Sequence, residues 1–362
     1  MERFGFVGLP NAGKSSLYNA LAGGGALAAP YAFATVDPNV GVAKVPDDRL
    51  DRLAAMSASK NVVPAAVQFV DIAGLVEGAA QGEGLGNRFL SHIREVDAIV
   101  FVLRAFTDPD VPGSTDPVDQ LATLEVELVY ADLESLEKQI DKRRKAARAD
   151  KSLADEVAAM EAAVELLQAG TPLYRGAISE EHRSLLRPFF LLTAKPALAL
   201  VNLDEAQQED PEPVLAPVRA AFADAGDPEE LVLGLSIQLE AEAAMLDAEE
   251  RAEMLEALGL GEGALPTFLH TAYRMLGLRT FFTTGEKESR AWTFRAGSTA
   301  PQAAGVIHTD FERGFIRAEV IRWDELLEIG SWSKARDVGK LRIEGKDYEV
   351  VDGDVLEIRF NV

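Results

Sequence analysis

Gly8-Leu9-Pro10-Asn11-Ala12-Gly13-Lys14-Ser15 is the stretch on which the rest of the chain is arranged. It has the form G-x-x-x-x-G-K-[ST], with the apolar run Phe4-Gly5-Phe6-Val7 before it and the helix-forming run Ser16-Leu17-Tyr18-Asn19-Ala20-Leu21 after it. A strand, a glycine turn and a helix in that order make a phosphate-binding loop. The glycines let backbone N–H groups point inward, and the helix start adds the positive end of its dipole. The pattern assigns Lys14 to the β- and γ-phosphates of a nucleoside triphosphate and the Ser15 hydroxyl to magnesium.

A second constellation follows at the end of another apolar run. Ala66 to Val70 reads as a strand and delivers Asp71-Ile72-Ala73-Gly74, a D-x-x-G arrangement. An acid at a strand's C-terminal end lies near the magnesium shell, and Gly74 offers an N–H to the γ-phosphate. Gly78, Gly82, Gly84 and Gly86 come next, which predicts a mobile switch ordered by the γ-phosphate. Ala98 to Leu103 is continuously apolar, as a buried parallel strand should be, and Arg104 closes it. Strands at 197–201 and 231–235 carry Asn202-Leu203-Asp204-Glu205 and Ser236 to the same sheet edge, where ligands of doubly wound sheets bind.

Between these strands the period changes. Val126, Val129, Leu133, Leu136 and Ile140, then Leu153, Val157, Met160, Val164 and Leu167, are spaced three and four apart. They predict two helices in an antiparallel coiled-coil arm roughly 35–45 Å long, turning at 149–151, with Ser152 and Asp155 as a capping box. Lys138, Lys142, Arg143, Arg144, Lys145, Arg148 and Lys151 sit near its tip, opposed in sequence by Asp141 and Asp150 alone. Such a run suits both a solvated helix face and contact with RNA phosphates. From Arg279 onward short β-rich segments at 281–284, 291–294, 315–321, 348–351 and 355–360, with a helix at 300–306, predict a small α+β domain.

Composition sets the outer limits. The chain has 362 residues, no cysteine and a net charge of −23, which excludes disulfides and thiolate metal sites and opposes indiscriminate binding to nucleic acid or anionic membranes. No leader and no long apolar run is evident, so a soluble cytoplasmic protein is expected.

Over nearly its whole length the chain resembles the YchF-type, Obg-like ATPases of the translation-factor class of P-loop NTPases. The matching stretches are the P-loop, YAFATVDPNVG at 31–41, DIAGLVEGAAQGEGLGNRFLSHIREVDAIV at 71–100, the inserted arm, and RAWTFRAGSTAPQAAGVIHTDFERGFIRAEVI at 290–321 through EGKDYEVVDGDVLEIRFNV at 344–362. The last part resembles a TGS domain. The resemblance implies Asn11, Ala12, Gly13, Lys14, Ser15 and Ser16 on the phosphates, Ser15 and Thr35 on Mg2+, Asp71 and Gly74 in the second switch, and a base-reading loop at 202–205. It also implies ribosome-associated ATP hydrolysis. The expected partners are the ribosome, through its large subunit, and ribosomal RNA, contacted by the arm and the TGS-like domain; the chain is expected to act as a monomer.

The expected architecture is therefore an α/β, doubly wound P-loop NTPase domain at 1–118 and 191–278, an inserted helical arm at 119–190, and a TGS-like domain at 279–362. Three departures shape the functional expectation. Leu75 stands where related GTPases place a water-orienting Gln, so intrinsic hydrolysis is expected to be slow. The connection from Arg104 to Gln120 contains no histidine; the four of the chain, His92, His182, His270 and His308, are expected to be structural. In place of the N-K-x-D that reads guanine, Leu203 is expected over the base and Glu205 at the reading position, with Asn202 and Ser236 beside them. That favours ATP over GTP. A GTPase reading remains open, with Asp204 as a displaced reader, as does a nucleotide-gated binding protein in which hydrolysis is incidental.

Overall fold

The computed structural model describes residues 1–23, 40–72, 85–224, 228–258 and 260–361. Thr35, Gly74, Leu75 and most of the glycine-rich segment lie outside the described residues. The strands are β1 (Arg3–Val7), β2 (Val40–Lys44), β3 (Val62–Val63), β4 (Ala66–Asp71), β5 (Ala98–Arg104), β6 (Ala197–Asn202), β7 (Val232–Leu235), β8 (Leu278–Thr283), β9 (Ser289–Arg295), β10 (Phe315–Arg322), β11 (Arg342–Glu344) and β12 (Asp354–Phe360).

Two compact units emerge, residues 1–43 with 68–265 and residues 44–67 with 266–362. The first is built on a six-stranded sheet of order β2-β4-β1-β5-β6-β7. Its pairings β1–β4, β1–β5, β5–β6 and β6–β7 are parallel. Burial explains the apolar runs: every residue of β5 and of β6 is buried. The register sets Phe6 beside Asp71 and Val100, and Arg104 beside Asn202, so the functional residues end on one sheet edge.

Helix α1 (Lys14–Gly23) follows β1, and α2 (Asp48–Ser57) and α3 (Leu85–Arg94) precede β5. Helix α4 (Pro117–Ala149) serves two cores. Its first half places Leu121, Leu124 and Leu128 against Phe101, Leu103, Ala199 and Val201 of the sheet. Its second half turns Leu136 and Ile140 toward Ala159, Met160, Ala163 and Leu167 of α5 (Ala154–Gln168). The antiparallel arm is present with three local corrections. Val126 belongs to neither seam, being 65% exposed. The paired stretch is limited by α5, which at 15 residues spans only about 22 Å; α6 (Glu180–Leu186) and the segment to Leu191 fold back to finish its core. The Ser152–Asp155 capping box does not form. Asp150 accepts from Ser152 N and Oγ at 3.0 and 2.7 Å, which winds a 3-10 turn over 151–153 before α5 and leaves that helix without a side-chain cap.

The chain leaves the arm through one buried carboxylate. Asp132 is fully buried and accepts from Leu192 N, Thr193 N and Thr193 Oγ1 at 2.8, 2.7 and 2.7 Å, fixing the segment that re-enters the sheet as β6.

The second unit is a sheet of order β11-β10-β12-β8-β9-β3, with a core of Phe281, Phe294, Ala303, Ala304, Val320 and Leu356. It recruits residues 44–67, which the sequence reading left in the nucleotide domain. The reason is local: Val62 and Val63 pair with β9, and Arg49 of α2 bonds Asp352 at 2.6 Å. The segment 348–351 is not a strand; Glu349 makes an isolated bridge to Thr299.

Asp132→Ala removes the acceptor of two buried backbone N–H groups. It should cost about 3 kcal/mol or more, read as a lower urea midpoint at unchanged slope. A midpoint within error of the parent would show that the arm does not depend on this carboxylate.

Candidate nucleotide-binding site

The loop between β1 and α1 adopts the strained geometry its glycines permit. A Cβ on Gly8 would lie 2.5 Å from the Val102 carbonyl oxygen, and one on Gly13 would lie 2.6 Å from Asn202 Nδ2. Gly13 has φ +103° and Asn11 has φ 64°, in the left-handed region. At the start of α1, Lys14 is 7% exposed and its Nζ donates to the carbonyls of Gly8 and Leu9 at 2.9 and 3.0 Å. Burial pulls its pKa below the usual lysine value, and the nearby Asp71 carboxylate opposes that pull.

Ser15 Oγ donates to Asp71 Oδ2 at 2.8 Å. Two residues 56 positions apart, predicted separately from the P-loop and the D-x-x-G stretch, therefore meet at one point. The bond directs the Ser15 proton toward Asp71 and leaves the serine lone pairs available. A hydroxyl and a carboxylate beside a phosphate cradle are hard oxygen donors, and they fit a magnesium ion that keeps most of its ligands as water and phosphate oxygens.

Asn202 ties the loop to the rest of the site. It is buried, donates through Nδ2 to the Ala12 carbonyl at 3.1 Å and accepts at Oδ1 from Ile237 N at 3.1 Å. Ala12 is buried under the loop and also donates its N–H to Leu9 O, so it serves the loop's shape rather than the cavity wall. Beyond α7 (Glu205–Glu209), α8 (Glu212–Phe222) and α9 (Pro228–Leu231), Ser236 caps α10 (Ile237–Ala243) through Leu239 N, and its own N–H reaches Gln208 Oε1 at 2.7 Å.

The remaining members of the 202–205 segment divide. Leu203 is 2% exposed and packs into the core with Leu215, beneath Gly234. The expectation of its side chain lying over a base is corrected accordingly: one residue past β6, it is turned inward by its apolar neighbours Leu215 and Gly234. Asp204 is the N-cap of α7 (Glu205–Glu209), in a reciprocal capping box with Gln207 at 2.9 and 3.0 Å. Glu205 is exposed on the first turn and borders the cavity.

Asn11, Gly13, Lys14, Ser15 and Ser16 line one end of a cavity of about 1160 Å3, and Asn202, Asp204, Glu205 and Ser236, with the almost wholly buried Leu203, line another part. A nucleoside triphosphate is of the size such clefts take. A third wall was not foreseen: Phe106, Thr107, Asp108 and Val111, from the connection after β5. Its sequence signal is Arg104, a charged residue ending an otherwise apolar buried strand. No histidine lines this cavity; His270 Nε2 bonds Pro46 O at 2.6 Å and His308 Nδ1 accepts from Asp310 N at 3.1 Å. No helix among the described residues is long and apolar enough to cross a membrane.

A parallel sheet whose first strand opens into this loop, with Lys14 in it and Ser15 bonded to the acid of the neighbouring strand, defines a P-loop nucleotide-binding protein. Comparison with known proteins narrows the class. A family model described as a 50S ribosome-binding GTPase matches residues 3–151, and the YchF-GTPase C-terminal model, described as a protein of unknown function, matches residues 278–361. The ribosome-binding ATPase YchF of Bacillus subtilis is 45% identical over 99% of both chains. The Obg-like ATPase 1 of Rattus norvegicus is 40% identical over 99% of this chain and 92% of that protein. The solved structure of the Schizosaccharomyces pombe YchF GTPase superposes with a TM-score of 0.88 at 36% identity, covering 99% of this chain and 97% of that one. The chain belongs to the YchF family.

Asn202→Ala should weaken triphosphate binding about tenfold or more, because the Ala12 carbonyl and the Ile237 N–H both lose their buried partner. Calorimetric titration of the variant checks this, and parent-like affinity would deny Asn202 a bracing role.

Proposed function

We propose that the protein is a magnesium-dependent ATPase that works as a slow nucleotide-controlled switch and binds the ribosome in the cytoplasm. The observation that carries the reading is the Ser15–Asp71 bond beside Lys14, since it joins a phosphate cradle to a cation site. Relatives named ribosome-binding ATPases, alike over their full length, support it.

In the proposed mechanism the P-loop N–H groups and α1 hold the phosphates, and Lys14 exchanges its two carbonyl partners for the β- and γ-phosphate oxygens. Ser15, with Thr35, would hold magnesium while Asp71 holds the Ser15 hydroxyl in position. The ion, when bound, supplies positive charge to the bridging phosphate oxygens. The D-x-x-G pattern assigns the Gly74 N–H to the γ-phosphate, and Leu75, whose side chain cannot hydrogen-bond water, would leave the attacking molecule unpositioned and turnover slow.

ATP is favoured over GTP by the acceptor chemistry of the base end. A guanine reader is an Asp that accepts from the ring N–H and the exocyclic amine; here Asp204 is tethered by its Oδ1 to the α7 cap and by Oδ2 to Thr107 Oγ1 at 3.4 Å, which restricts the displaced-reader alternative to one partly engaged oxygen. Glu205 is left as the exposed carboxylate, able to accept from the adenine N6 amine. Converting the segment to a guanine reader by Leu203→Lys would bury an ammonium in the core, so that change is expected to destabilise the protein rather than alter its selectivity.

Ribosome contact is assigned to the arm and the C-terminal unit, with the large subunit and its RNA as the target and a monomer as the acting form. The arm's basic run is narrower than its sequence suggests. Arg143 pairs with Glu156 at 3.1 Å, and Arg144 with Glu161 and Asp141 at 2.9 and 3.4 Å. Lys142, Lys145, Arg148 and Lys151 are exposed and supply the charge left for phosphates.

Lys14→Ala should lower ATP turnover at least a hundredfold, while the unaltered protein alone turns over below about one per second and faster with ribosomes. Turnover that survives Lys14→Ala would remove the site assignment. Reversing Lys142, Lys145 and Arg148 to Glu should weaken ribosome co-sedimentation and flatten its salt dependence. Unchanged sedimentation and slope would mark the run as solvated surface.

A further inference from the structure

The connection from Ala105 to Asp116, between β5 and α4, has no regular secondary structure, yet its backbone carbonyls are taken up by two buried side chains. Arg104 is 2% exposed. Its Nε donates to Phe106 O at 3.1 Å, Nη1 to Val111 O and Pro112 O at 3.0 and 3.2 Å, and Nη2 approaches Asp108 O at 3.4 Å. The guanidinium also lies 4.4 Å from the centre of the Phe106 ring. Gln120, likewise buried, receives Arg104 N and donates to the carbonyls of Arg104, Ser114 and Asp116. The partners of this buried cation are carbonyl oxygens gathered from one loop, an arrangement only a planar fork with several donors can satisfy.

The loop so held is the third wall of the nucleotide cavity, and it is fastened at both of the other walls. Asn11 Nδ2 reaches Pro112 O at 3.4 Å on the phosphate side. On the base side Gln207 Nε2 donates to Ala105 O at 3.1 Å, and Thr107 Oγ1 lies 3.4 Å from Asp204 Oδ2. We propose that Arg104 is a positioning residue for base selectivity: by gathering four carbonyls it fixes Phe106, Thr107 and Val111 at a set distance from the 204–207 turn, and Gln207 transmits that setting. Neither residue touches the nucleotide in this account. The inference rests on the nucleotide reading given above, and it adds to that reading the residues that set the width of the base end.

The width matters because selectivity is a difference between two affinities. A wall free to move back lets a base with mismatched edge groups keep water on its unpaired atoms, whereas a fixed wall leaves them buried and unpaired. Loosening the wall should therefore narrow the ratio between nucleotides as well as weaken both.

Calorimetric titration of the full chain with Mg-ATP and Mg-GTP tests this in two variants. Arg104→Lys keeps the charge and loses the fork; it should weaken ATP binding about tenfold and bring the ATP-to-GTP ratio toward one. Gln207→Glu keeps the acceptor that Asp204 N uses in the α7 capping box, because Glu serves that position as well as Gln, and turns the donor to Ala105 O into a carboxylate oxygen that repels that carbonyl. It should narrow the ratio about threefold, with the loss in melting temperature smaller than in Arg104→Lys because one carbonyl rather than several loses its donor. Should Arg104→Lys fail to fold, Gln207→Glu decides. A merely structural role for the clamp lowers the melting temperature and leaves the ratio alone, and parent-like ratios in the folded variants would overturn the proposal. No ATP binding by the unaltered protein would instead remove the functional reading, and this inference with it.

Discussion

The side-chain amide of Asn202 is the constraint on which the site depends. It faces a loop whose backbone is held in sparsely populated conformations at Asn11 and Gly13, and it spans from that loop to the start of α10. A phosphate cradle needs several N–H groups aimed at one point, and nothing in a glycine-rich turn holds them there unaided. Asn202 does so from β6, two strands away from β1 in the sheet. The close approach of Gly13 to Nδ2 shows why no side chain is admitted there.

From that brace outward, the same sheet edge carries the other parts. Asp71 arrives from β4 and meets Ser15; Arg104 leaves β5 and gathers the third wall; Ser236 leaves β7 and caps α10. Parallel order explains the convergence, since every strand whose end is used points the same way. The arm is tied into the same frame because α4 packs on the sheet with its first half before leaving it, and Asp132 fastens the return. One continuous helix, α4, thus holds the third-wall loop through Gln120 and runs on into the arm.

The doubly wound domain, the P-loop, the separate placing of Ser15 and Asp71 near one metal shell, and the arm were legible in the sequence, because each is encoded by local spacing or by an unbroken apolar run; that Ser15 bonds Asp71 is a tertiary fact. Four features were not. Leu203 sits in a tetrapeptide whose spacing suggests a reader, yet burial against Leu215 is a tertiary fact. Asp150 and Ser152 compete for the same helix start, and only the folded turn shows which caps it. The pairing of Arg143 and Arg144 depends on which face of α5 carries Glu156 and Glu161. Residues 44–67 join the C-terminal unit through a two-residue strand and one arginine, signals too short for periodicity to register. The third wall falls between these cases: Arg104 was visible as an anomaly, but its carbonyl partners lie in a loop without pattern.

A braced P-loop, a hydroxyl–carboxylate metal site and a base end whose Asp204 is tied to the α7 cap together make an ATP site. Isothermal titration of the unaltered protein with ATP and with GTP, each with and without magnesium, tests it most directly. One ATP should bind per chain, tighter with magnesium and tighter than GTP. GTP bound about tenfold more tightly than ATP, or ATP binding indifferent to magnesium, would contradict it.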